Sequence, residues 1–308
     1  MSRPDLVIVG SVALDSVRTP FGERVRILGG SATFASVAAS VFCKPGVVAV
    51  VGDDFAAEHE QILRQRGIDL EGLQHRQGRT FHWKGRYEGD MNTAITEDTQ
   101  LGVFADFSPI LPEPYRDAGH LLLGNIHPQL QLHVLDQMKP DVFSAADTMN
   151  YWITGTPDLL REMIRRVRMM VLNDAEARSI SGKFNLVDAA EAVRALGPSI
   201  VVIKKGEHGA MVFSDLGLSV IPAVPISTLK DPTGAGDTFA GGMVGYLVRL
   251  GGWSRSELAG AALMGSILAS FTVEHFGLTG LASATPQSIN IRLEDLKAAT
   301  DISTKPLS

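Results

Sequence analysis

The sequence predicts an α/β fold, a three-layer α/β/α domain with a central, mostly parallel sheet and a small β-sheet projecting from it. Three observations carry this. Short runs dense in Val, Ile and Leu recur along the chain, most without polar alternation, as strands buried on both faces of a parallel sheet require. Helical patterns lie between several of these runs, and strands alternating with helices wind into one sheet through right-handed crossovers. Two segments, 12–28 and 79–108, break the alternation with β-rich, turn-bounded sequence that suits no crossover.

The buried runs are LVIVGS (6–11), VVAVVGDD (47–54), HLLLGN (120–125), DVFSAAD (141–147), MVLND (170–174) and IVVIKKG (200–206). After the first, Phe34, Val37, Ala38 and Val41 fall at i, i+3, i+4 and i+7, and Ser31 is the expected N-cap of that helix. Segment 12–28 reads as an extended hairpin turning at Pro20 to Gly22, and segment 79–108 turns at Glu88-Gly89-Asp90. Together they form one small sheet on a single domain spanning 1–308. Residues 210–215 and 218–224 are expected as antiparallel strands at the sheet edge. A capping box, Ser254 with Glu257, opens a helix over 254–276 that Gly277 is expected to stop.

Composition narrows the class. In 308 residues, 45% are hydrophobic and 20% charged, which suits a chain that buries a large core and not a disordered one. The net charge of −6 argues against a nucleic-acid partner, which calls for a basic surplus. Cys43 is the only cysteine, so no intrachain disulfide and no cysteine-based zinc site can form; on its apolar helical stretch it reads as core. The eight histidines show no metal-ligand spacing. Met1 to Pro4 leads straight into the first strand without a secretory n-region, and no apolar stretch approaches the roughly 18 residues of a membrane span. The expectation is a soluble cytoplasmic protein with no membrane partner.

The most informative stretch is Asp231-Pro232-Thr233-Gly234-Ala235-Gly236-Asp237-Thr238-Phe239-Ala240-Gly241-Gly242. Phe239, Met243, Tyr246 and Leu250 then recur at helical spacing until Gly251-Gly252, so a Gly-rich turn opens a helix. Free N–H groups and the helix dipole at such a terminus suit an anion approaching the backbone closely, and phosphate is the natural candidate. Asp237, in the first turn beside that anion, is useful there as acceptor of a proton from an attacking hydroxyl. The pairing implies phosphoryl transfer. No Gly-x-x-x-x-Gly-Lys-Ser/Thr string and no Gly-x-Gly-x-x-Gly after a strand occurs, so neither a P-loop nor a dinucleotide fingerprint supplies the phosphate site.

This twelve-residue string resembles the C-terminal signature of the ribokinase-like (PfkB) carbohydrate kinases, and other segments agree in order along nearly the whole chain. Gly10 to Asp15 resembles the end of the family's first strand, Gly29-Gly30 its N-terminal signature, and Val51 to Asp54 its Val-Gly-x-Asp element. Asn173 to Glu176 looks like its Asn-x-x-Glu motif, and Lys204 to Gly209 like its nucleotide-side loop. The resemblance implies an ATP- and Mg²⁺-dependent kinase of a small sugar or sugar-like alcohol, with a monovalent cation as a further candidate. It implies Asp237 as base, with the N–H groups of Gly234, Ala235 and Gly236 holding the transferring phosphoryl. Asp15, Gly29, Gly30, Asp231 and Asn150 fall to the substrate. Asn173, Glu176, Lys204, Gly206 and Gly209 fall to the nucleotide, with Mg²⁺ held through ATP and water near Asn173 and Glu176 and by no direct protein ligand. The projecting sheet would close over the substrate and exclude water.

Some residues depart from the family pattern or have plain alternatives. Phe34 stands where many members carry Asn, and Trp152 falls where Arg is common after Asp147 to Asn150, which leaves the acceptor open between sugar and nucleoside. Phe81, Trp83, Tyr87, Phe104 and Phe107 gather in the second insert, for stacking on substrate, for the small sheet's own core, or for a homodimer contact through that sheet. Asn173 and Glu176 also suit a helix cap, and Lys204 and Lys205 ordinary edge charges. A non-catalytic nucleotide- or metabolite-binding regulatory protein of the same fold is the alternative of a different class.

Overall fold

Each buried run becomes a strand whose alternate residues enter two separate cores. The computed structural model describes residues 3–301. Thirteen strands are present among them: β1 (Leu6–Val9), β2 (Ala13–Thr19), β3 (Gly22–Gly29), β4 (Pro45–Val51), β5 (Asp69–His75), β6 (His82–Tyr87), β7 (Ala94–Gln100), β8 (His120–Leu123), β9 (Phe143–Asp147), β10 (Met169–Asn173), β11 (Ile200–Lys204), β12 (Ala210–Ser214) and β13 (Gly217–Ile221). Leu6 and Ile8 of β1 pack into the core on one face of the sheet, Val7 and Val9 into that on the other. β11 divides likewise, Ile200 and Val202 against Val201 and Ile203. Two apolar faces per strand explain the missing polar alternation.

The central sheet runs β13-β12-β11-β10-β9-β8-β1-β4-β5. Pairing is parallel from β5 to β11 and antiparallel at β12 and β13, the edge expected from the sequence. From β1 the chain builds outward to β4 and β5, then returns to β8 on β1's other side and builds the opposite way. The crevice at the C-terminal ends of β1 and β8 is therefore a topological switch point, where open α/β sheets bind ligands. The small sheet, β3-β2-β6-β7, stands over it.

Four local expectations are corrected. Gly30, with φ 94, caps the helix Ser31–Ala39; Ser31 is its first residue, and its Oγ accepts from Ser11 N–H at 3.1 Å. The helix opened by the Ser254/Glu257 capping box ends at Val273, and Gly277 instead donates its N–H to Asp231 at 3.1 Å. Strand β5 escaped the sequence reading because DLEGLQH has neither an apolar run nor clean alternation. Of the second insert only β6 and β7 belong to the small sheet; Phe104 and Phe107 return to the main core.

Helix Arg255–Val273 is long and apolar enough to cross a membrane by length and composition. Here it lies against helix Ala235–Leu250 with more than half of that stretch buried, and a Cβ on Gly265 would stand 2.6 Å from Phe239 O. Gly260 has more room, its nearest neighbour 3.9 Å away on Tyr246. Gly265→Ala is accordingly expected to lower Tm by several degrees, about 1–3 kcal/mol of overpacking. Gly260→Ala should leave Tm unchanged or slightly raised, since Ala is the better helix former. Calorimetry on the pair checks the contact; equal effects would count against it.

Candidate active site

A cleft of about 2030 Å³ opens between the small sheet and the C-terminal ends of the central strands. One wall grows from β1. Beyond Val9 the backbone turns through Gly10 and Ser11, and β2 carries Asp15 into the cleft. Asp15 Oδ2 accepts from Gly30 N–H at 3.3 Å. The fit needs glycine, because a Cβ on Gly29 would stand 2.0 Å from that oxygen and one on Gly30 2.5 Å from Ser11 O. Burial pushes the Asp15 carboxyl up to about 7; the Gly30 N–H opposes the rise, and the carboxylates of Asp231 and Asp237 add to it.

The opposite wall is the Gly-rich turn. Gly234, with φ 76, caps helix Ala235–Leu250, and the ring of buried Phe34 lies where a Cβ on Gly234 would point. Phe34 therefore serves as the floor of the turn. Gly236 faces the ammonium of Lys204, whose Nζ is 3.0 Å from where a Gly236 Cβ would be. Asp237 follows in the first turn. Its carboxyl is pushed up to about 7 by burial and then by the charge of Asp147, with Lys204 opposing.

Lys204 joins these groups. Its Nζ donates to Asp147 Oδ2 at 2.9 Å. Burial works against its charge, but Asp147, Glu176 and Asp237 outweigh it and hold the ammonium protonated. Asp147, Asn173 and Lys204 are the last residues of the adjacent parallel strands β9, β10 and β11, so their side chains emerge together at the crevice.

Asn173 and Glu176 form a reciprocal capping box on helix Asp174–Ser181, Asn173 N–H to Glu176 Oε2 and Glu176 N–H to Asn173 Oδ1, both 2.8 Å. Burial, then Asp147, pushes the Glu176 carboxyl up to about 7. Both residues also line the cleft, so cap and site coincide. Gly206 and Gly209, with φ 54 and 81, shape the loop after β11; a Cβ on Gly209 would stand 2.0 Å from Ile221 O. Beyond the loop the wall turns apolar with Val224, Ala269 and Val273.

The remaining expected residues take different places. Asn150 lies exposed on the rim, as the first residue of helix Asn150–Gly155. Asp231, assigned to the substrate by resemblance, is fully buried and does not line the cleft. Its oxygens accept from Thr233 N–H at 2.9 Å and Gly277 N–H at 3.1 Å, which holds the turn in shape. Gly29 lies behind Asp15 as a spacer. The insert's aromatics divide: Phe104 and Phe107 pack on the main core, Tyr87 packs with Val17 and Met91, and all five rings reach the cleft. Thr233 Oγ1 donates to Tyr87 Oη at 3.4 Å, which ties the small sheet to the Gly-rich turn.

Asn125 was not singled out from the sequence, and Asp147 was named there only as the start of the 147–150 string, with no role of its own. For Asp147 the signal existed, a carboxylate at the end of a buried strand; Asp15, expected at such an end, instead lies within β2. Asn125 ends such a run as well, but its orientation depends on Trp152, distant in sequence.

Comparisons with known proteins bear on the family and the fold. Residues 5–285 match the family model described as pfkB family carbohydrate kinase. A cytidine kinase from Thermococcus kodakarensis is 35% identical over 249 residues, 79% of this chain and 88% of that protein. A nucleoside kinase from Methanothermobacter thermautotrophicus is 26% identical over 310 residues, 89% of this chain and 90% of that protein. Among solved structures, the nucleoside kinase of Methanocaldococcus jannaschii shares the fold with a TM-score of 0.75 at 20% identity, covering 96% of this chain and 100% of that one. The Burkholderia thailandensis nucleoside kinase in complex with inosine gives 0.76 at 21%, covering 94% and 98%.

The raised Asp237 carboxyl has a consequence for stability. A carboxyl whose folded pKa lies near 7, above its unfolded value, favours the native state at low pH and loses that contribution as pH rises through about 7. Asp237→Asn, which carries no charge, is expected to raise Tm by a few degrees at pH 8 and to change it little at pH 4.5. Thermal melts at the two pH values check this; a lower Tm at pH 8 would mean that the carboxylate's pairing with Lys204 outweighs its burial.

Proposed function

The chain belongs to the pfkB family of carbohydrate kinases, and we propose that it transfers the γ-phosphoryl group of ATP to a hydroxyl of a small sugar or of a sugar-bearing alcohol such as a nucleoside, with Asp237 as the base. The observation that carries this reading is the convergence of Asp237, the helix N-terminus at Gly234 to Gly236 and the Lys204 ammonium on one wall of the cleft, opposite Asp15 and Gly30.

The acceptor lies with its other hydroxyls on Asp15 and the Gly30 backbone, its reacting hydroxyl toward Asp237. As the acceptor oxygen bonds to the γ-phosphorus and the bond to the β–γ bridging oxygen breaks, the hydroxyl proton passes to Asp237 and ADP leaves. Charge on the transferring group is met by the N–H groups of Gly234, Ala235 and Gly236 and by Lys204, all in place beforehand. The Gly206 to Gly209 loop passes beside the donor phosphates, and Val224, Ala269 and Val273 suit the face of its base. Mg²⁺ bound with ATP would neutralise phosphate charge. Asn173 Oδ1 and Glu176 Oε2 are committed to their capping box, so these residues fit an outer, water-bridged position about the ion. A cytoplasmic setting, where ATP is abundant, accords with the reading.

Asp237→Asn is expected to lower kcat by about 10²–10⁴ with little change in the KM for ATP. Lys204→Met should cost about 10²–10³ in kcat, the scale of a lost charge-stabilising donor. Steady-state rates with ATP and Mg²⁺ over a panel of sugars, polyols and nucleosides check both. ATP binding without turnover on any acceptor would favour the non-catalytic alternative. Because the base must be ionised, kcat/KM is expected to rise with pH through the region near 7, where Asp237 ionises beside Asp15 and Glu176. A profile flat from pH 5.5 to 8.5 would exclude Asp237 as that base.

A further inference from the structure

Lys204 stands among three carboxylates and bonds to one of them. Among the described residues its only ion pair is with Asp147, Nζ to Oδ2 at 2.9 Å, although the charges of Glu176 and Asp237 also act on it. The backbone favours this choice. β10 lies between β9 and β11, so Asp147 and Lys204 stand two strand spacings apart, about 10 Å, and a long lysine stem is needed to span the end of β10. The aspartate is held ready for it. Its Oδ1 accepts from Thr148 N–H at 2.8 Å, which fixes the rotation of the carboxylate with Oδ2 toward the ammonium. Buried Gln131 donates to Asp147 O at 3.0 Å and to Gly124 O at 2.9 Å, and so ties the ends of β8 and β9 together.

Two things depend on where this ammonium sits. It lies at the N-terminus of helix Ala235–Leu250, 3.0 Å from where a Cβ on Gly236 would be, and the transferring phosphoryl arrives there in the kinase reading. It also lies beside the base. An ammonium bonded to Asp237 would hold that carboxylate ionised and weaken it as a proton acceptor, and would be turned from the phosphoryl as well. Asp237 faces Asp147 from β9 and Lys204 from β11, with Asp15 from β2 and Tyr87 from β6 acting across the cleft. Glu176 and Asp231 complete the titratable groups of this region. Lys204 is the cation among them, and Asp147 competes with the base for it.

We propose that Asp147 is a positioning residue for the phosphoryl transfer: it holds the Lys204 ammonium at the helix N-terminus and off Asp237, so that the base and the charge-stabilising cation act as separate groups. The inference rests on the kinase reading and adds to it a residue that works only through another.

The test compares the parent with Asp147→Asn, Lys204→Met and the double variant carrying both. It reads kcat at pH 8 with ATP, Mg²⁺ and the acceptor that the parent uses. It also follows the ionisation of Asp237 without turnover, by NMR of protein labelled with carboxyl-¹³C aspartate, the resonance being assigned by its loss in Asp237→Asn. Asp147→Asn releases the ammonium to Asp237. It should lower the midpoint of the Asp237 ionisation by at least about one pH unit and kcat by about 10–10². Loss of packing alone would lower kcat without moving that midpoint. Loss of the Asp147 charge with the ammonium still in place would move the midpoint without lowering kcat. In the double variant no ammonium remains to be positioned, so kcat should be no lower than in Lys204→Met. An Asp237 midpoint unmoved by Asp147→Asn, a kcat within about threefold of the parent, or a double variant well below Lys204→Met would overturn the proposal and leave the kinase reading standing. Were no acceptor phosphorylated by the parent, the kinase reading itself would fall, while the NMR titration still reads where the ammonium goes. Should Asp147→Asn not fold, the double variant against Lys204→Met decides.

Discussion

One buried ion pair, Lys204 with Asp147, sets the electrostatics of the cleft. Three carboxyl groups, those of Asp147, Glu176 and Asp237, crowd the end of the central sheet, and Lys204 is the ammonium that faces them. Without it their charges would repel one another in a medium that screens poorly, and removing one partner of such a pair costs several kcal/mol by leaving the other unpaired, about 3–5. Its reach is limited, so Glu176 and Asp237 still rise to about 7. The groups meet because three neighbouring parallel strands end at the same edge of the sheet, Lys204 level with Asn173 and Asp147 level with Val171. Parallel register is thus the mechanical origin of the site's charge pattern.

Small residues provide the complementary constraint. The wall carrying Asp15 exists because Gly29 and Gly30 let Asp15 and Ser11 approach the backbone, and the Gly-rich turn because Gly234 leaves room for Phe34. The small sheet is anchored with similar economy. Thr80 N–H donates to Asp54 Oδ1 at 2.7 Å, Gly78 N–H to Asp53 Oδ2 at 2.9 Å, and Arg26 of β3 pairs with Asp54 at 2.5 Å. The Val-Gly-Asp-Asp segment thereby ties both inserts to the end of β4, and Tyr87 reaches from the small sheet to Thr233 across the cleft. These bonds give the segment a physical task that the sequence resemblance had only marked by position.

Much of this was legible in the chain, and the parts that were share a property. The buried strands, the two inserts, the Gly-rich turn with Asp237 and the capping boxes at Asn173 and Ser254 depend on contacts within a few residues. What was misread depends on partners far away in sequence. Ser31 is a good N-cap by type, but Ser11 claims its hydroxyl. Gly277 looked like a helix stop, yet Asp231 claims its N–H. Asp231 itself belongs to the signature string, but its bond to a residue 46 positions away withdraws it from the cleft. Phe104 and Phe107 counted as part of the second insert until the fold returned them to the main core.

The sequence by itself determined the fold class, the place of the Gly-rich turn and the carboxylate in its first helical turn, because periodicity and glycine spacing are local and their physical meaning does not depend on context. Tertiary structure alone decided which charges meet and which way side chains face. Lys204 could have been a solvated edge lysine; strand order set it against Asp147 and Gly236. Asn125 could have presented either end of its amide; Trp152, 27 residues later, donates to its oxygen and fixes which way it faces. Burial and long-range pairing fix protonation and orientation, and neither is written in any short stretch of the chain.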